Sequence, residues 1–96
     1  MAEYWLSSRA EADLAEIADY TIERFGIEQA RHYRDELESC FQSLAENPMI
    51  GRSADELGSN LRRYEHQSHI VFYLPSDQGV FVVRVLHQRM DYARHL

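Results

Sequence analysis

Two apolar stripes at helical spacing, separated by one glycine, restrict this chain more than any other feature. In "SSRAEADLAEIADYTIERFG", Leu14, Ile17, Thr21 and Phe25 recur at helical intervals, with Ala10 and Ala18 on the same side. In "IEQARHYRDELESCFQSLAENP", Ala30, Tyr33, Leu37, Phe41 and Leu44 form a second stripe, and Ile27 staples its start. Ser7 or Ser8 supplies the first N-cap, and Ser8 with Glu11 matches a capping box. Gly26 is placed to end the first helix. Asn47-Pro48 ends the second, because proline disfavours a helical residue before it. Two helices joined by so short a turn pack as an antiparallel hairpin. Their stripes then need a sheet face to cover them.

The rest of the chain supplies that sheet. "AEYWLS" reads as a first strand. "PMIGRSADELGSN" is loop-like, with Gly51, Gly58 and Asn60 as punctuation. "LRRYEH", "HIVFYLP" and "GVFVVRVLHQ" read as three further strands, the last two joined through "SDQG". The tail "RMDYARHL" reads as coil or one helical turn. The predicted order is β-α-α-β-β-β in a single domain over residues 1–96. This is an α+β fold, a two-layer sandwich of an antiparallel sheet with a helical hairpin on one face. The other sheet face is expected to stay partly open.

Charge is unevenly distributed. The net value is −6, which argues against general adhesion to free nucleic acid or to anionic lipid. Residues 1–46 hold eleven of the sixteen acids against four arginines, close to −7. Residues 47–96 hold five acids, six arginines and four of the five histidines, close to +1. Every basic residue is arginine, the side chain suited to bidentate contact with carboxylate and phosphate. No apolar run approaches the ~20 residues of a membrane span. No basic segment followed by an apolar one suggests a secretory signal. The sole cysteine, Cys40, reads as a small core hydrophobe and suits a reducing cytoplasm.

The cationic and imidazole groups gather at the C-terminal end, in "RVLHQRMDYARHL" from Arg84 to Leu96. Strict alternation puts Phe81, Val83, Val85 and His87 on one face of their strand, and Val82, Arg84 and Leu86 on the other. That phase turns Arg84 away from the helices. Arg62 and Arg63 must point to opposite faces, so one of them can share the open face with Arg84. Phosphodiester cleavage needs a proton acceptor, a proton donor and cations. His87, His69, Arg63, Arg84 and Tyr92 include those types, although a lone histidine at a strand end is more often structural. No metal-ligand spacing, phosphate-binding glycine loop or nucleophile elbow is present in the sequence, and no cofactor is expected. As a chain end rich in arginine and histidine, the tail is expected to add little to stability unless Met90 or Tyr92 is packed.

Read in series, "LSSRAEADLAEIADYT", "GIEQARHYRDEL", "LAENPMIGRSADEL", "LRRYEHQSHIVFY" and "RVLHQRMDYARHL" resemble the ParE toxins of the RelE/ParE superfamily, components of bacterial type II toxin–antitoxin modules. The resemblance covers nearly the whole chain in order. It departs at Ser8, where the family often has proline; at Asn60, where glycine is common; and at Pro75, which cannot donate to a strand ladder. The resemblance implies a binder without a catalytic centre that poisons DNA gyrase. It also implies a ParD-like antitoxin, with which the chain would form a hetero-oligomer. Arg62, Arg63, Arg84, His87, Arg89, Met90, Asp91, Arg94 and His95 are the candidate target-docking residues. Tyr20, Tyr33, Leu37 and Phe41 are the candidates for antitoxin binding. Two alternatives stand beside this reading: a RelE-like ribosome-dependent mRNA endonuclease, and a non-toxic homologue that only binds an antitoxin.

Overall fold

A computed structural model describes residues 2–96. Among these the chain runs β1 (Glu3–Leu6), α1 (Ser8–Phe25), α2 (Ile27–Glu46), β2 (Arg52–Ser53), β3 (Arg62–His66), β4 (His69–Ser76), β5 (Gly79–His87) and α3 (Tyr92–His95). The predicted elements are all present. The loop read at 48–60 contributes the two-residue β2, and the tail forms the single turn α3. The α+β two-layer sandwich holds.

The sheet order is β1-β5-β4-β3-β2. Strands β3 to β5 form the expected antiparallel meander, and β2 adds to β3 antiparallel. Strand β1 joins them parallel to β5, with Leu6 opposite Val82. A parallel pair needs a long connection, and here the helical hairpin is part of it.

Helix α1 begins at Ser7, whose side chain accepts from the Ala10 N–H. The capping box read at Ser8 and Glu11 is displaced by one residue and does not form. The same Ser7 hydroxyl donates to the Val83 carbonyl at 2.6 Å, tying the helix start to β5. Gly26, with φ 94°, ends α1 and starts α2 in one residue.

The main core lies between the hairpin and the sheet. Ala10, Leu14, Leu37, Phe41 and Leu44 pack on Val71, Tyr73, Val80, Val82 and Val85. Cys40 belongs to this cluster, and burial pushes its thiol up to about 11, so it stays protonated. A second cluster of Ala54, Leu61, Ile70, Phe72 and Leu86 fills the opposite face. That face was expected to be open. Leu57, from the loop before β3, and Tyr92 and Leu96, from the C-terminal turn, pack against it.

The approach of β1 to β5 depends on Gly79, which has φ 144° and lies against the Glu3 backbone. A Cβ there would run into the Glu3 carbonyl oxygen. Gly79→Ala is therefore expected to destabilise the protein by about 2 kcal/mol or more. Chemical denaturation of the purified variant measures this, and hydrogen exchange should show β1 opening first.

Candidate functional site

The C-terminal cluster is organised by a break in the β5 alternation. The β4–β5 register pairs Tyr73 with Val82 but Phe72 with Arg84, so Val83 is an extra residue. Such a bulge shifts the phase of the strand. Val82 and Val85 both enter the helix-side core, while Val83 and Leu86 join the opposite cluster. Strict alternation across 81–87 therefore fails, and Arg84 does not face away from the helices. Its Nε donates to Asp13 Oδ2 at 2.9 Å and its Nη2 to Asp13 Oδ1 at 2.8 Å. Only 13% of the Arg84 side chain and 8% of that of Asp13 are exposed. The hydrogen bonds to Asp13 raise the guanidinium pKa above its already high ordinary value.

Asp13 answers a backbone problem as well. Strand β1 ends at Leu6, which leaves the edge of β5 uncovered beyond Val82. Ser7 covers the next carbonyls, its N–H donating to Val82 and its hydroxyl to Val83. Asp13 Oδ2 then accepts the Val85 N–H at 2.9 Å. The sequence reading missed Asp13. The available signal was its place one residue before Leu14, three after Ala10 and four before Ile17, within the apolar side of α1.

The structure does not bring the three strand arginines together. Arg84 is engaged with α1. Arg62 turns to the loop after α2, donating to the Met49 carbonyl at 3.3 Å and also to that of Gly51. Arg63 lies on the opposite face, its guanidinium 5.6 Å from the Tyr92 ring centroid. Arg84 and Arg62 are thus corrected from docking residues to structural ones.

The tail is packed rather than loose. The Tyr92 ring sits 5.3 Å from that of Phe72, its hydroxyl donates to the Gln88 carbonyl at 2.6 Å, and Arg84 Nη1 donates to the His95 carbonyl at 2.6 Å. Tyr92 is packed, which is the case in which the tail is expected to contribute to stability. Arg89, Met90, Asp91 and Arg94 are exposed on this packed turn, and His95 is half-buried. They share one short segment with Arg63 close to Tyr92.

His87 is turned to the other side of the sheet. It pairs across the strands with His69, which pairs in turn with His66. The His69 and His87 rings meet edge to face at 5.5 Å, and Tyr33 Oη lies 2.7 Å from His69 Nδ1. Burial, with His87 and His66 close by, lowers the His69 imidazole to about 4. Burial and the nearby Glu36 push the Tyr33 phenol up to about 12. The neutral His69 and its bond to Tyr33 join α2 to the sheet, while His87 Nδ1 accepts the Arg89 N–H at 3.1 Å.

The hairpin presents the second candidate surface. Tyr20, Ile22, Phe25 and Ile27 are exposed by 57%, 42%, 69% and 53%. Arg24 lies over the Tyr20 ring at 5.1 Å. A groove of about 430 Å³ runs between Phe25, Tyr33 and His69. Leu37 and Phe41, by contrast, are fully in the core beneath the sheet and offer no groove surface. Those two assignments are corrected. Phe25 and Ile22 are exposed apolar residues that the sequence reading did not single out for binding.

Residues 4–92 match the family described as "ParE toxin of type II toxin-antitoxin system, parDE". The chain belongs to this family. It is 45% identical over 96 residues to Toxin ParE1 of Mycobacterium tuberculosis, covering 99% of this chain and 98% of that one. Toxin ParE1 of Caulobacter vibrioides is 42% identical over 96 residues, covering 100% and 99%. Toxin ParE of Escherichia coli is 38% identical over 92 residues, covering 95% and 89%. A solved structure titled "Chromosomal ParDE TA system from P. aeruginosa" shares the fold, with TM-score 0.74 at 17% identity, 91% of this chain and 96% of that one. The protein is thus a ParE toxin of a type II toxin–antitoxin system. Among the described residues no helix is long and apolar enough to cross a membrane, and no group of side chains is arranged to hold a metal ion.

Two outcomes follow for this ParE toxin. The neutral His69 is favoured in the folded state, and its pKa falls from the ordinary 6.5 to about 4. The unfolded chain takes up that proton first as pH drops. The contribution is therefore complete above pH 6.5 and is lost progressively toward pH 4. A His69→Asn variant should show a shallower loss of stability across this window in urea titrations. Removing residues 89–96 strips Tyr92 and Leu96 from the second core cluster and leaves Arg84 without its carbonyl partner. It should cost about 2–4 kcal/mol, read as a lower thermal midpoint.

Proposed function

We propose that this ParE toxin stops bacterial growth by binding and poisoning DNA gyrase, and that it does so as a binder without a catalytic centre of its own. The observation that supports this reading is the packed C-terminal turn with Arg89, Met90 and Arg94 exposed and the half-buried Arg63 of β3 against Tyr92. Such a surface suits a large charged nucleoprotein target, since arginine pairs well with carboxylate and phosphate. The acidic remainder limits indiscriminate contact with DNA. The burial of His69 and its bond to Tyr33 speak against the RelE-like nuclease alternative. His69 is engaged with α2, and the row of His66, His69 and His87 lies apart from the face that carries Arg63 and Tyr92.

A ParD-like antitoxin completes the proposed system in the cytoplasm, as a hetero-oligomer with the toxin. Its disordered tail would fold on binding as an amphipathic helix over the hairpin surface. Tyr20 and Tyr33 remain candidates for that contact, joined by Ile22, Phe25 and Ile27. Exposed aromatic and branched side chains of this kind are common interface anchors.

Expression without an antitoxin should arrest growth, and co-expression of the cognate antitoxin should restore it. In vitro, the purified toxin should block gyrase on supercoiled plasmid and leave message on programmed ribosomes intact. An Arg89→Ala/Arg94→Ala variant should keep its melting temperature, because exposed substitutions change stability by only about 0.5 kcal/mol. It should lose gyrase inhibition by roughly tenfold or more. Cleaved message with unaffected gyrase would overturn the proposal. Unimpaired growth with soluble, folded protein would favour a non-toxic, antitoxin-binding role.

A further inference from the structure

The C-terminal turn α3 cannot set its own position. It has four residues, and its N-cap Asp91 makes no side-chain capping bond. A helix this short has no independent stability in water. Its placement therefore comes from what holds it: Tyr92 on Phe72, Leu96 on the second core cluster, and the Arg84 guanidinium on the His95 carbonyl. The first two contacts are apolar and non-directional. Tyr92 also donates to the Gln88 carbonyl just before the turn, and the Arg84 bond is the directional hydrogen bond that reaches the turn from β5, its direction set elsewhere.

Arg84 carries its donors in a rigid planar fork. Asp13 engages Nε and Nη2, which leaves Nη1 aimed at His95. The Asp13 carboxylate is fixed in turn by the Val85 N–H and by the backbone of α1. A residue in the second turn of α1 therefore determines where the last residues of the chain lie. The exposed Arg94 rides on that segment, Arg89 sits just before it with its N–H on His87 Nδ1, and among the described residues neither arginine forms an ion pair of its own.

We propose that the Asp13–Arg84 pair is a latch that orients the C-terminal surface, and that Asp13 and Arg84 are positioning residues for the toxin's action rather than contacts to its target. The positioning role rests on the C-terminal docking reading above. Arg84 acts from inside the protein, through the His95 carbonyl, and Asp13 acts through Arg84.

The test compares Asp13→Asn, Arg84→Lys and native toxin by thermal melting, residue-resolved hydrogen exchange and inhibition of gyrase on supercoiled plasmid. Asp13→Asn keeps an acceptor for the Val85 N–H but loses the charge that holds Arg84. Its exchange protection should fall about tenfold at 92–96 relative to α2 and β4, with a similar loss of inhibitory potency. Arg84→Lys lacks the fork and should show a smaller loss of the same kind. Should Asp13→Asn not fold, Asp13→Asn with Arg84→Met leaves no unpaired buried charge and gives the same readouts. Unchanged protection at 92–96 would overturn the latch. A loss of protection spread evenly over the whole chain would reduce the pair to a general structural role and overturn it too. Release of 92–96 with undiminished potency would overturn the positioning role. If Arg89→Ala/Arg94→Ala loses potency in the same assay, the docking reading survives that failure; if it does not, the docking reading falls as well.

Discussion

The Asp13 carboxylate is the point on which both layers of this ParE toxin depend. It stands where β1 stops and the β5 edge would otherwise be bare. There it accepts the Val85 N–H and two bonds from Arg84. Burying a carboxylate and a guanidinium is expensive unless each is fully bonded. Here the bonding is nearly complete, and it joins three separate parts of the chain: α1, β5 and the C-terminal turn. Taking away one partner would leave a buried charge unanswered, which is worse than never having had the pair. The bulge at Val83 makes the arrangement possible. One extra residue in β5 rotates Arg84 toward α1 while keeping Val82 and Val85 in the same core.

The two candidate surfaces meet at the α1–β5 edge, where Tyr20 lines one cavity with Arg84, His87, Met90 and His95. On one side of the sheet, the hairpin leaves Tyr20, Ile22, Phe25 and Ile27 exposed near its turn, within an acidic helical layer. On the other side, the C-terminal turn closes over Phe72 and carries its arginines outward. The acidic, partly apolar hairpin and the arginine-bearing C-terminal turn differ in chemistry and adjoin at that cavity. The histidine row touches both: His69 lines the hairpin groove, and His87 Nδ1 accepts the Arg89 N–H. His69 is held neutral by burial and by its neighbours, and its bond to Tyr33 helps seat α2.

Much of the architecture was legible from the residues. The two stripes, the single glycine between them and the turn at 76–79 specify helices and strands through local periodicity, which needs no knowledge of the neighbours. The family resemblance rested on those segments in series, and the comparisons agree with it. The site was legible only in part. Leu37 and Phe41 were assigned to a groove, but one helical face cannot both cover a sheet and receive a partner, and packing took them. Arg62 and Arg84 looked like surface cations because charge suggests exposure. Each instead bonds carbonyls or a carboxylate supplied by residues distant in sequence.

The sequence by itself determined the elements, their order, the segregation of charge and the concentration of arginine and histidine toward the C-terminus. Those properties are carried by composition and by spacing within one segment. Only the tertiary structure decided which way Arg84 points, because that depends on a bulge created by the pairing of β5 with β4. Only the tertiary structure could set β1 parallel to β5 and end it short of Val85, which is what gives Asp13 its task. The closing of the second sheet face by Leu57, Tyr92 and Leu96 has the same origin. Contacts between residues some 70 positions apart follow from register and closure, and no local pattern encodes them.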